Sequence, residues 1–147
     1  MPEKRTLEAA QRARRQGKRP TTQAGAFVRE EIRHVREGKH GARSTKQAIA
    51  IGLSKARRAG VKLGPPPTRA KRKTREGAAS ASRAGHRGRR APSRTRSRAT
   101  VRALKREPRR AASREALARQ ARQAARERGP RARKAASRKA AATRKAA

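Results

Sequence analysis

Nine of the fourteen residues whose apolar side chains are larger than alanine lie between Phe27 and Leu63. A chain buries only what it has to bury, so one small core is expected there. Within that window, Ser44–Gly60 reads S-T-K-Q-A-I-A-I-G-L-S-K-A-R-R-A-G, where a start, an apolar face and a stop agree. Ser44 and Gln47 have the spacing of a capping box. At 100° per residue Ala48, Ala59, Gly52, Ala56, Ile49 and Leu53 share one face. Lys46, Arg57, Ser54, Gln47 and Arg58 share the other, with Ile51 an apolar outlier among them. Gly60 sits where a left-handed cap residue belongs, with Val61 behind it for the accompanying apolar contact.

A partner helix is expected from Thr22 or Ala24 to Glu37, stopped by Gly38. Phe27, Val28, Ile32 and Val35 form its apolar face, and Arg29, Arg33 and Arg36 group opposite. Glu31 intrudes on the apolar side and reads as a rim carboxylate paired with a Lys or Arg. The short link Gly38–Arg43 folds the two helices into a hairpin or a helix-turn-helix-like pair spanning residues 22–63. A module this small is marginal alone, and homodimerisation through the pair is one way to complete its core. Residues 1–21 form a basic segment with a short helix, Thr6–Gln16, capped by Thr6 and closed by Gly17 and Pro20.

Charge decides the rest. Lys and Arg number 46 against 9 acidic residues, for a formal net charge of +37. Repulsion on this scale opposes compaction and is relieved by a polyanion. The expected fold class is therefore mostly α with extensive disorder. Pro65, Pro66 and Pro67 open a disordered basic linker over residues 64–96. Ala/Arg-rich helices follow over residues 97–129, as Ser97–Glu107 and Ala111–Arg128, broken by Pro108 and ended by Gly129-Pro130. The second is expected to pass from coil to helix when phosphate relieves its like-charge pairs. Residues 130–147 repeat Arg-Lys-Ala-Ala in a low-complexity basic tail.

Several chemistries lack their residues. There is no Cys, Trp or Tyr and a single Phe, which removes thiolate metal sites, disulfides and aromatic base-stacking platforms. His34, His40 and His86 have no Cys or Asp to complete a ligand set, so no metal or cofactor is expected. No nucleophile-base-acid spacing is present, and an enzyme is not expected. Gly38-Lys39-His40-Gly41 has the G-x-x-G form with which KH modules clamp a nucleic-acid backbone, without the strands of that fold. With no long apolar run, neither secretion nor membrane insertion is expected, and a cytoplasmic, nucleoid location is.

The stretch F-V-R-E-E-I-R-H-V-R-E-G-K-H-G followed by K-Q-A-I-A-I-G-L-S-K-A-R-R-A-G resembles a family of small, strongly basic bacterial proteins built around a K-Q-A-I-A-I-G-L-S-x-A-R core. The resemblance covers about residues 22–63. It implies a bacterial origin and a helical pair, in a domain of unknown function sometimes labelled DNA-binding or plasmid-stabilising. The tail is similar in composition to linker-histone tails and to bacterial histone H1-like proteins.

The function expected from these features is sequence-nonspecific, histone-like nucleic-acid binding through phosphate contacts, DNA favoured over RNA. Arg29, Arg33, Arg36, Lys39, Arg43, Lys46, Arg57 and Arg58 would orient the module on nucleic acid. Arg114, Arg119, Arg122, Arg126, Lys134, Arg138, Lys139, Arg144 and Lys145 would supply affinity from the tail. The alternatives are an RNA- or ribosome-associated protein, and an adaptor or plasmid-stability factor whose helical pair binds protein through Phe27, Val28, Ile32, Ile49, Ile51 and Leu53.

Overall fold

The computed structural model describes residues 1–87 and 93–145, and all regular structure among them is helical. Contacts divide the chain into a unit at Met1–Ala112 and a second at Ser113–Ala147. The first holds α1 (Lys4–Arg15), α2 (Pro20–Arg36), α3 (Thr45–Arg58), α4 (Arg72–His86), α5 (Arg94–Lys105) and a 3₁₀ turn at Arg109–Ala112. The second holds α6 (Arg114–Lys145).

The central pair forms for the reasons its residues predict. Ser44 Oγ accepts from Gln47 N at 3.2 Å, and Gln47 Oε1 accepts in return from Arg43 N at 2.7 Å, one residue upstream of the usual box. At the other end Gly60 has φ +87°, and Val61 N donates to Ala56 O while Gly60 N donates to Arg57 O, the double bond of a Schellman cap. The same geometry closes α2 at Gly38. Pro20 opens α2 at a position where its missing N–H costs nothing. Thr45, Ala48, Gly52 and Ala56 form the buried stripe of α3, and Phe27, Ile32 and Val35 are buried on α2. Phe27, the one residue of the Phe, Tyr and Trp class, is completely buried, in a cluster with Ala10, Ala24 and Ala56 that Leu7, Leu53, Val61 and Leu63 flank.

α1 is more firmly placed than a segment with one bulky apolar residue suggests. It begins at Lys4, so Thr6 is an interior, buried residue and not the N-cap. Ala10 buries against the Phe27 cluster, and α1 packs along α2.

The expected linker is also structured. Residues 72–86, assigned to disorder by composition, form α4 and pack on α3. Small residues allow it: Ala81 is buried, Ala78 and Gly85 are half-buried, and all lie at helical spacing. The part of the linker expectation at residues 88–92 lies outside the described residues, as do residues 146–147 of the tail.

Past α5 the chain returns to the α2–α3 loop. Gly41 N donates to Leu104 O at 2.8 Å and Ala42 N to Pro108 O at 3.1 Å. Thr45 Oγ1 donates to Ala111 O at 2.6 Å, and Arg36 Nε to Ala112 O at 2.8 Å. Ala111 and Ala112 are buried by this return. The last Ala/Arg helix therefore starts at Arg114 and not at Ala111.

In the second unit Ser113 Oγ accepts from Ala116 N at 3.1 Å and caps α6. Gly129, with φ +76° and ψ +169°, breaks the helical path where Gly129-Pro130 predicts a stop, but helix resumes at once and runs through the residues expected to be a low-complexity tail. Pro130 suits the first turn of the resumed helix. α6 is helical over Arg114–Lys145, the conformation its Ala and Arg residues favour.

Candidate nucleic-acid interface

The distribution of unpaired cations defines the candidate interface. Among the described residues only Arg5, Arg33, Lys39, Lys55 and Arg72 of the Lys and Arg side chains form ion pairs with a carboxylate. Most of the excess charge has no internal counterion.

The residues expected to orient the module divide into two groups. Arg29, Arg43, Lys46 and Arg58 are exposed, with no acidic partner among the described residues. Arg33, Arg36, Lys39 and Arg57 are engaged in holding the fold. Arg33 Nη2 lies 2.6 Å from Glu3 Oε2 and its Nε 3.4 Å from Glu37 Oε1. Lys39 Nζ lies 3.0 Å from Glu37 Oε2 and 3.4 Å from Glu3 Oε1. Arg36 bonds Ala112 O as described, and Arg109 donates to Arg36 O. Arg57 departs from the solvent face that the helical spacing predicts: α4 covers that face, Arg57 is buried, and its Nη2 donates to Gly64 O at 2.8 Å. Burial lowers its basicity from the usual guanidinium value.

Glu3, which no local spacing singles out, is the anchor of this arrangement. Its carboxylate meets His34 Nε2 at 2.7 Å, Arg5 Nε at 2.7 Å and Arg33 Nη2 at 2.6 Å. His34 first, then Arg5 and Arg33, hold its carboxyl well below the usual carboxylate range. Contact with Glu37 raises the Lys39 ammonium and lowers the Glu37 carboxyl in the same way.

The tail residues expected to supply affinity form a solvated array. Arg114, Arg119, Arg122, Arg126, Lys134, Arg138, Lys139 and Arg144 are exposed along α6. Lys145 closes the helix, and its side chain lies outside the described residues. From Ser113 onward there are twelve basic residues and two acidic ones, Glu115 and Glu127. No ion pair joins them among the described residues. α5 is similar, with no buried residue and with Arg94, Arg96, Arg98 and Arg102 exposed.

The G-x-x-G loop does not offer a phosphate cradle. Gly41 and Ala42 are buried with their amides bonded to Leu104 and Pro108 carbonyls, and the Lys39 amide donates to His34 O. A clamp needs those N–H groups free.

Residues 4–69 match a family of unknown function, DUF6496. The match spans α1 to α3 and ends after the proline run. No match was found among curated proteins or among solved structures. Among the described residues no helix is long and apolar enough to cross a membrane.

The structure also assembles what the sequence spacing did not. Glu31 of α2 is fully buried and not a rim residue; its Oε2 lies 2.6 Å from Lys55 Nζ and its Oε1 3.2 Å from His40 Nε2. His34, one turn on from Glu31, meets His40 edge-to-face with ring centroids 6.1 Å apart. The missed signal is Glu31-x-x-His34, an i, i+3 pair of ligand types on one helix face.

Proposed function

We propose that this protein binds duplex nucleic acid, DNA in preference to RNA, without reading base sequence, and coats it in the manner of a nucleoid protein. The observation that carries the reading is the uncompensated charge of α5 and α6, whose exposed guanidinium and ammonium groups lack internal counterions. Such groups displace condensed cations from phosphate, which makes association steeply dependent on salt. If every net charge engaged, +37 would neutralise about 18 base pairs. Duplex is favoured because modules that read single-stranded RNA stack bases chiefly on exposed Phe, Tyr and Trp, and here Tyr and Trp are absent and the single Phe, Phe27, is buried. The adaptor alternative loses its central contacts, since Phe27 and Ile32 are used inside the first unit.

The test compares two variants of the full chain. Replacing Arg119, Arg122 and Arg126 with Gln removes three exposed cations while keeping good helix formers. The slope of log K against log salt on mixed-sequence duplex should then become shallower by about 2 to 3. Arg33→Gln removes a cation already held by Glu3 and Glu37 and should leave the slope unchanged. Equal slopes in the triple variant and the parent chain would sink the proposal.

A further inference from the structure

We propose that Glu31, His34 and His40 form a binding site for one divalent transition-metal ion of the zinc type. One ligand atom from each lies within 4.8 Å of the others. The two nearest have the spacing that a shared ion imposes. Ligands about 2.0 Å from a tetrahedral centre stand about 3.3 Å apart. Glu31 Oε1 and His40 Nε2 are 3.2 Å apart.

The hydrogen bonds around the cluster set the imidazoles in a metal-binding orientation. His40 Nδ1 lies 3.0 Å from its neighbour's carbonyl, Gly41 O. A ring that donates there turns Nε2, an atom through which an imidazole takes a metal, toward Glu31 Oε1. His34 Nε2 meets Glu3 Oε1 at 2.7 Å, the type of carboxylate–histidine contact that fixes ring orientation in metal sites. Gly41, held by Leu104 O, keeps His40 in place from the other side.

Charge around the site leaves room for a cation. Glu30 and Glu31 are both fully buried, and the one ammonium between them is Lys55 Nζ, 2.6 Å from Glu31 Oε2 and 3.6 Å from Glu30 Oε1. The remaining acceptor of Glu30, Oε2, takes the Glu3 N–H at 3.2 Å. Glu31 Oε1 is buried without a hydrogen-bond donor among the described residues, an arrangement that is costly unless a cation meets it. Arg33 and Lys39 lie nearby but direct their charge to Glu3 and Glu37. Lys55 stays on Oε2, and Oε1 serves the ion. Three protein ligands of N and O type, with a fourth position left to water, suit Zn²⁺ and its spectroscopic substitute Co²⁺.

The test uses the full chain, freed of nucleic acid in high salt and of metal by a chelator. It is titrated with Zn²⁺ against a chromophoric chelator, and separately with Co²⁺ while the visible spectrum is recorded. The expected result is one equivalent of Zn²⁺ bound, the intense absorption of four-coordinate Co²⁺, and a melting temperature that rises with free metal. His34→Gln and His40→Gln should each weaken binding by about tenfold or more, and His86→Gln should not. Absence of a one-to-one phase, a Co²⁺ spectrum like that of the aqueous ion, or equal affinity in all three variants would overturn the site. If a variant fails to fold, the Co²⁺ spectrum of the parent chain decides.

Discussion

Gly52 sets how closely α2 and α3 approach. A Cβ built there would lie 2.7 Å from Val28 Cα and 3.0 Å from Val28 N, backbone atoms with no rotamer to yield. Gly52→Ala should therefore force the helices apart and cost about 1–3 kcal/mol, read as a lower urea midpoint with an unchanged m-value. No loss of stability would mean that the crossing is looser than described. At Glu3 the effect is electrostatic. Its folded carboxyl is held below the normal range by His34, Arg5 and Arg33, so it binds its proton more readily in the unfolded chain. Its contribution is complete above the unfolded value of about 4.3 and is lost as pH falls from there through the folded value. Glu3→Gln should destabilise the first unit at pH 6 and less at pH 3, with the gap narrowing in high salt because the site is partly open to water. A gap that is the same at both pH values would contradict this role.

At the scale of elements, α4 is the decisive case. A Cβ on Gly85 would come within 2.2 Å of Arg57 O, so Gly85→Ala should lift α4 from α3. Amide exchange over residues 72–86 should then accelerate while α2 and α3 keep their protection, and an α4 that stays protected would show that close backbone contact does not hold it. The helical pair was legible because its signals are local: Ser44 and Gln47 at one end, Gly60 at the other, and a stripe at Ala48, Gly52 and Ala56 between them. α4 was not, since its contact face is Ala78, Ala81 and Gly85, small residues that carry no hydropathy contrast within an Arg/Ser/Gly/Ala text. What it packs against is the polar face of α3, which explains why Arg57 was expected in solvent and is found buried. α1 was undervalued for a related reason. Its anchor is the ion-pair hub at Glu3, made with α2 residues some thirty positions away, and no local spacing reveals it. The Glu31, His34 and His40 cluster needs the loop return at Leu104 to be visible at all. The exposed tail cations were legible outright, because charge this dense has nowhere to be buried.

Taken whole, the molecule spends its few carboxylates on the first unit and leaves α5 and α6 almost undiluted in charge. Five of the nine Glu residues lie at or before Glu37, where Glu3, Glu30, Glu31 and Glu37 hold α1, α2 and α3 together. The binding we propose would thus draw on different cations from folding: Arg33, Lys39, Lys55 and Arg57 are held by partners within the first unit, and the α5 and α6 arginines stand free of carboxylates among the described residues. The measurement that tests this account most directly is a salt titration of the full chain on mixed-sequence duplex DNA, with structured RNA of equal length as competitor. A linear, steep fall of log K with log salt, the same for unrelated DNA sequences and with DNA preferred or equal, is the predicted result. A shallow slope, or an RNA preference that persists at moderate salt, would contradict it.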